Sequence, residues 1–144
     1  MNIRLARADE IPRLMSIYDG ARVFMKESGN PNQWAGKYPD EDTIKSDIAN
    51  GGLYVCTENE DILAVFYFRE GEDPTYKHIY EGEWLNDLPY GVIHRIAVSD
   101  KARGCGVAAV CFDFAYEKCG NVRIDTHRDN IPMQRSLEKN GFAR

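Results

Sequence analysis

The sequence predicts an α/β domain built on a mixed, mostly antiparallel sheet. Three observations carry that reading. Hydrophobic periods of two and of 3.6 succeed one another in the order β-α-α-β-β-β-α-β-α. Two apolar runs joined by a short polar turn form a hairpin in the first half. The second half holds one strand–helix–strand unit, which calls for a parallel pair with a right-handed crossover.

NIRLAR (2–7) alternates and reads as a strand, after which Asp9 can cap a helix. Ile11, Leu14, Met15, Tyr18, Arg22 and Met25 fall at helical spacing, with Arg22 the polar member of the stripe. ESGNPNQWAGKYP (27–39) clusters Gly, Pro and Asn and reads as loop. Ile44 and Ile48 share one face of a short helix that Gly51 can end. LYVCT (53–57) and ILAVFYF (62–68) flank the polar ENED and make the hairpin. Residues 70–90 have no clean period but carry Tyr76, Tyr80, Trp84 and Tyr90. A stretch of that length is uncommon as inert connection, so a binding loop is expected. VIHRIAV (92–98) is the next strand. Plain alternation would set His94, Ile96 and Val98 on one side and Arg95 and Ala97 on the other. A helix over 104–118 is expected to bury Val107, Val110, Cys111, Phe114 and Ala115. VRIDT (122–126) is a strand, and Ile131 to Asn140 the last helix.

With 144 residues, 43% of them hydrophobic, one domain over 1–144 with one core is expected. The net charge of −5 and a pI near 5.2 argue against nucleic acid as a partner, since binding there needs a basic face. No apolar run reaches bilayer length, so no membrane partner is expected, and the N-terminus has no signal-peptide core. Cys56, Cys105, Cys111 and Cys119 show no CxxC spacing. Reduced thiols in a cytoplasmic protein without a metal are the expectation.

RGCGVA (103–108) lies between the strand VIHRIAV and the helix after it. The N–H groups at a helix start lack intrahelical partners and favour an anion, and glycine allows close approach. The loop suits a pyrophosphate, with Arg103 near its rim. By itself it leaves a phosphate cradle and a plain turn both open. GCGVAA also fits the dinucleotide pattern G-x-G-x-x-A, and Asp125 at the end of the next strand stands about 20 residues on, where an acid would meet a ribose. Against that NAD(P) reading, SDKA separates strand from glycines, and only one strand–helix–strand unit is present.

RGCGVA further resembles the [Arg/Gln]-x-x-Gly-x-[Gly/Ala] motif of the GCN5-related N-acetyltransferases (GNAT). NIPMQRSLEKNGF (130–142) is similar to that family's next motif, an Asn, a helix and Glu-Lys-x-Gly-Phe. The element order matches as well. The resemblance implies a mixed sheet with helices on both faces and an N-acetyltransferase that moves acetyl from acetyl-CoA to a primary amine by direct attack. The amine would belong to a small molecule or a peptide. It implies backbone contacts to pantetheine from Ile96, Ala97 and Val98, where the strand splays at a bulge. It implies a pyrophosphate cradle from Arg103, Gly104, Cys105, Gly106, Val107 and Ala108, and a further contact from Asn130. The family's thiol-protonating Tyr falls at Leu137 here, which keeps a non-enzymatic acyl-CoA-binding or sensor protein as the alternative.

An alkyl amine with a pKa of about 10.4 is mostly protonated at neutral pH and needs a base. Glu81, Glu83 and His94 are the candidates, imidazole's ordinary pKa of about 6.5 suiting the task. The glutamates also read as solvated charge, and His94 as a packed strand residue. The resemblance places the acceptor pocket at QWAGKYP (33–39) and at 70–90, with Trp34, Tyr38, Tyr80 and Trp84 as candidate walls. The same aromatics read equally as a hydrophobic cluster under long loops. Family members continue past Gly-Phe into a closing hairpin, so a truncated form, or a homodimer that covers the edge strand 122–126, is expected.

Overall fold

The computed structural model describes residues 1–30, 34, 38–70, 90–120, 122–124 and 131–142. Among the described residues five strands form one sheet: β1 (Asn2–Leu5), β2 (Leu53–Glu58), β3 (Asp61–Glu70), β4 (Gly91–Val98) and β5 (Val122–Ile124). They lie in sequence order, with the first three pairings antiparallel and β4–β5 parallel. Helices α1 (Ile11–Glu27) and α2 (Glu41–Ala49) separate β1 from β2. Helix α3 (Val107–Cys119) links β4 to β5, and α4 (Ile131–Lys139) follows.

The sheet divides two apolar cores. On one face Leu53, Val55, Val65 and Ala97 meet Leu14, Ile17 and Tyr18 of α1 and Ile44 of α2. On the other Cys56, Ala64, Phe66, Phe68 and Ile93 meet Val107, Cys111, Phe112 and Ala115 of α3 and Leu137 of α4. Each such aliphatic side chain, fully buried, contributes about 1.5–3 kcal/mol. Helices on both faces of a mostly antiparallel sheet are thus present as expected.

Local chemistry explains the ends of the elements. Asp40 accepts from the Thr43 N–H at 2.9 Å and caps α2, and Gly51 follows its C-terminus at φ +69°. The β2–β3 connection is tighter than the ENED segment suggested. Asn59 and Glu60 form the turn with φ of +50° and +73°, the left-handed pair that a two-residue hairpin demands. At the end of α4, Gly141 is left-handed and the Phe142 N–H reaches the Leu137 carbonyl at 3.0 Å. That closure seats Phe142 on Phe112, with ring centroids 5.2 Å apart, and gives the Gly-Phe pair a structural task.

Several expectations need correction. The first strand stops at Leu5, since residues 8–10 turn into a short 3-10 segment. Asp9 does not cap α1. Glu10 stands at the N-cap position of α1 without a side-chain cap bond; its carboxylate turns back and closes the 3-10 turn, accepting from the Arg7 N–H at 2.9 Å while Arg4 holds it at 2.7 and 2.8 Å. Helix α3 begins at Val107, not residue 104, because Gly104 and Gly106 both take left-handed φ. It buries Phe112, which the expected stripe omitted, and leaves Val110 and Phe114 half-buried. The aromatic stretch 71–89 lies outside the described residues.

Candidate active site

The site is built around an irregularity in β4. Val65 pairs with Ala97, but Tyr67 pairs with His94, so two steps along β3 match three along β4. The extra residue makes a β-bulge at Arg95, whose φ is +52°. One inserted residue reverses the facing of everything on its far side. His94 therefore shares the α1/α2 face with Ala97, opposite Ile96 and Val98 on the α3 face. The expected grouping of His94 with Ile96 and Val98 is overturned for that reason. Among the described residues β4 pairs with β5 over Gly91–Ile93, on the N-terminal side of the bulge.

On the α1/α2 face a polar cluster surrounds Arg95. Asp47 of α2 accepts from Arg95 Nε and Nη2, each at 2.8 Å. Arg95 Nη1 donates to the Tyr38 hydroxyl at 3.3 Å, and the guanidinium lies 5.0 Å from the Tyr67 ring centroid. The Tyr67 and His94 rings are 6.3 Å apart. Buried Tyr18 donates its hydroxyl to the Arg95 carbonyl at 2.8 Å and meets Trp34 edge-on at 5.6 Å. Burial pushes the Asp47 carboxyl above its ordinary range against the pull of Arg95. Burial likewise holds the Tyr18 phenol in its protonated, donating form. Arg22 donates to the carbonyls of Tyr38 and Pro39 at 3.1 and 3.3 Å, which explains the polar member of the α1 stripe: it ties the α1–α2 connection down.

Beyond β4, Ser99 donates its N–H to the Leu63 carbonyl at 2.8 Å, and a 3-10 turn leads into the glycine loop. Gly104 (φ +80°) and Gly106 (φ +77°) hold conformations that side-chain-bearing residues resist, and a Cβ on either would meet nothing within 4 Å. The Cys105 N–H closes onto the Ala102 carbonyl at 3.2 Å. Among the described residues nothing accepts from the N–H groups of Gly104, Gly106, Val107 or Ala108. An exposed glycine turn feeding a helix start, with open space and unclaimed donors, is a fitting cradle for a bulky anion. At the start of the loop the Arg103 guanidinium pairs with Asp100 and lies 4.3 Å over the Phe24 ring.

The expected site residues thus divide. Ile96, Ala97 and Val98 lead through Ser99 and the short 3-10 turn into the loop that carries Arg103, Gly104, Cys105, Gly106, Val107 and Ala108. His94 and Tyr38 stand in the Arg95 cluster, on the opposite face of β4 from Ile96. Trp34 is buried in the α1/α2 core. Tyr80, Glu81, Glu83, Trp84 and Asn130 lie outside the described residues. Leu137 packs in the α3/α4 core. Asp47, Tyr18, Tyr67 and Arg95 went unnoticed as site residues. The available signal was a charge inside the apolar strand VIHRIAV, which needs a buried partner. An Asp beside Ile48, on the buried side of a short helix, could have been that partner.

The sequence model of the Acetyltransferase (GNAT) family matches residues 15–142. Among solved structures, an acetyltransferase of the GNAT family from Streptococcus agalactiae 2603 is 35% identical, with a TM-score of 0.90, covering 99% of this chain and 84% of that one. Two more distant structures share the fold. A predicted acetyltransferase with acetyl-CoA from Clostridium acetobutylicum is 19% identical, with a TM-score of 0.61 and coverage of 99% and 90%. An aminoglycoside antibiotic 6'-N-acetyltransferase from Acinetobacter haemolyticus is 14% identical, with a TM-score of 0.69 and coverage of 100% and 92%. No curated protein matches the sequence.

Proposed function

The chain belongs to the GNAT family of acetyltransferases, and from that premise we propose that it transfers an acetyl group from acetyl-CoA to a primary amine of a small molecule or peptide. The observation that carries the reading is the left-handed glycine pair at the head of α3, with N–H groups that nothing among the described residues claims, one short 3-10 turn downstream of the bulged strand β4. The dinucleotide reading has little support in the sheet: among the described residues the strands lie in sequence order with one parallel pair, unlike a doubly wound sheet.

In this proposal the backbone from Arg103 to Ala108 binds the pyrophosphate, helped by the dipole of α3. Ile96, Ala97 and Val98 receive the pantetheine arm along β4, and Asn130 adds a contact before α4. Bound acetyl-CoA supplies a thioester whose acetyl group passes to the amine nitrogen as the thiolate leaves. A backbone N–H of β4 donates to the carbonyl oxygen as negative charge grows there. His94, Glu81 and Glu83 are the proposed bases that free the amine of its extra proton. Trp34, Tyr38, Tyr80 and Trp84 are the proposed aromatic surroundings of the acceptor, and Tyr38 is already exposed beside the Arg95 cluster. The acid that protonates the leaving thiolate has no side chain at Leu137, which is buried and apolar. Solvent is assigned that proton. The same residue supports the second reading, acyl-CoA binding without turnover.

One titration series tests the proposal. Acetyl-CoA and CoA should raise the melting temperature while NAD and NADP do not, and CoA release should appear on addition of an amine from a panel of amino acids, polyamines, aminoglycosides and peptide N-termini. Exposed Cys105 gives an independent probe. Its alkylation by iodoacetamide, followed by peptide mass spectrometry, should slow when acetyl-CoA is present. Binding without CoA release would select the second reading, and no binding would refute both.

A further inference from the structure

Arg95 occupies a backbone conformation that its side chain disfavours. Residues with a Cβ resist left-handed φ, and Gly or Asn would be the easier occupants of +52°. The conformation persists because neighbours from three elements hold it. Tyr18 of α1 grips the carbonyl, Asp47 of α2 takes the guanidinium in a two-bond fork, and Tyr67 of β3 supports it from beneath. The Tyr38 hydroxyl adds a contact from the connection between α1 and α2. Tyr18 is fully buried and Asp47 is 5% exposed, so bulk water has little access to either partner of Arg95. The bulge is therefore a fixed part. It sits between the His94 side of β4 and Ile96–Val98, the segment assigned above to the donor.

We propose that Arg95, Tyr18 and Asp47 form a positioning device that fixes the β4 bulge for acyl transfer, so that loosening it slows turnover while leaving donor affinity largely intact. The inference rests on the acetyltransferase reading. Affinity for the donor is carried mainly by the glycine loop, which none of the three side chains touches. Geometry at the reacting centre is carried by the bulge, where a displacement of about 1 Å can cost about 100-fold in rate.

Tyr18→Phe removes only a hydroxyl, and Arg95→Lys keeps the charge but loses the two-bond fork. Arg95→Gly suits the φ and removes the fork altogether. Each should bind acetyl-CoA within about threefold of the wild type by calorimetry, and each should lose at least about tenfold in kcat. A merely structural role would lower the melting temperature without this split between kcat and Kd. A second readout does not need turnover. In amide NMR, the shift difference between the acetyl-CoA and CoA complexes should centre on Ile96–Val98 in the wild type and shrink in Arg95→Lys. Folded variants with kcat within twofold of wild type overturn the inference and leave the acetyltransferase reading standing. Parallel losses in kcat and affinity, or unfolding of all three variants, overturn it in favour of a structural role. A wild type without turnover but with an unaltered Ile96–Val98 difference in Arg95→Lys also overturns it. A wild type that binds no acetyl-CoA fails the parent reading first, and this one with it.

Discussion

Replacing Gly106 by Asn separates what the loop does for the fold from what it does for a ligand. Gly106 is the N-cap of α3 at φ +77°, in open space. Alanine there would cost about 1–2 kcal/mol of backbone strain, but asparagine tolerates the left-handed region. Its carboxamide oxygen can also accept from the Ala108 or Ala109 N–H, as N-cap side chains do. The unliganded protein should change in stability by no more than about 1 kcal/mol, a shift of about 3–5 °C or less for a chain of this size. The same carboxamide takes a donor that the pyrophosphate needs. One hydrogen bond to a charged group contributes about 1.5–3 kcal/mol, so acetyl-CoA affinity should fall roughly 10- to 150-fold. Calorimetric titration measures it, with Gly120→Asn as the control: Gly120 sits at φ +70° beyond the other end of the same helix. A folded Gly106→Asn protein with wild-type acetyl-CoA affinity would refute the cradle.

Leu137→Ala, which empties a buried position, should cost about 2–5 kcal/mol in a denaturation curve while sparing acetyl-CoA affinity; Leu137→Tyr should raise kcat if thiolate protonation limits the rate. Glu10 reports on pH. Its hydrogen bond from Arg4 holds the carboxyl below its ordinary value, so the fold favours the ionised form. That stabilisation is complete above the ordinary glutamate pKa of about 4.3 and drains as pH falls through the lower folded value. Melting temperatures of wild type and Glu10→Gln should therefore differ at neutral pH and converge in acid. Glu60→Gly relieves a left-handed glutamate in the β2–β3 turn and should raise stability by up to about 1 kcal/mol, read by chemical denaturation.

Local pattern carried a large share of this protein's description. The order of the described elements, the hairpin, the parallel unit and the glycine loop at a helix start each depend on residues close together in the chain. Periodicity and turn chemistry report such features directly. The family motif around RGCGVA belongs to the same class, because the proposed cradle is made of backbone N–H groups of consecutive residues. Tertiary structure decided the polar cluster on the α1/α2 face. His94 changed faces because one extra residue in β4 breaks the period of two, and nothing in VIHRIAV marks where a bulge will fall. Arg95 found Asp47 across 48 positions and Tyr18 across 77. A buried charge announces that it needs a partner, but its identity depends on which helix the sheet brings alongside. Phe112 joined the core for a related reason: α4 and Phe142 pack where a stripe aimed only at the sheet would leave a helix face exposed. Short-range preferences act within a few residues, whereas a strand's register and an ion pair's partner are set by packing energies summed over the whole sheet.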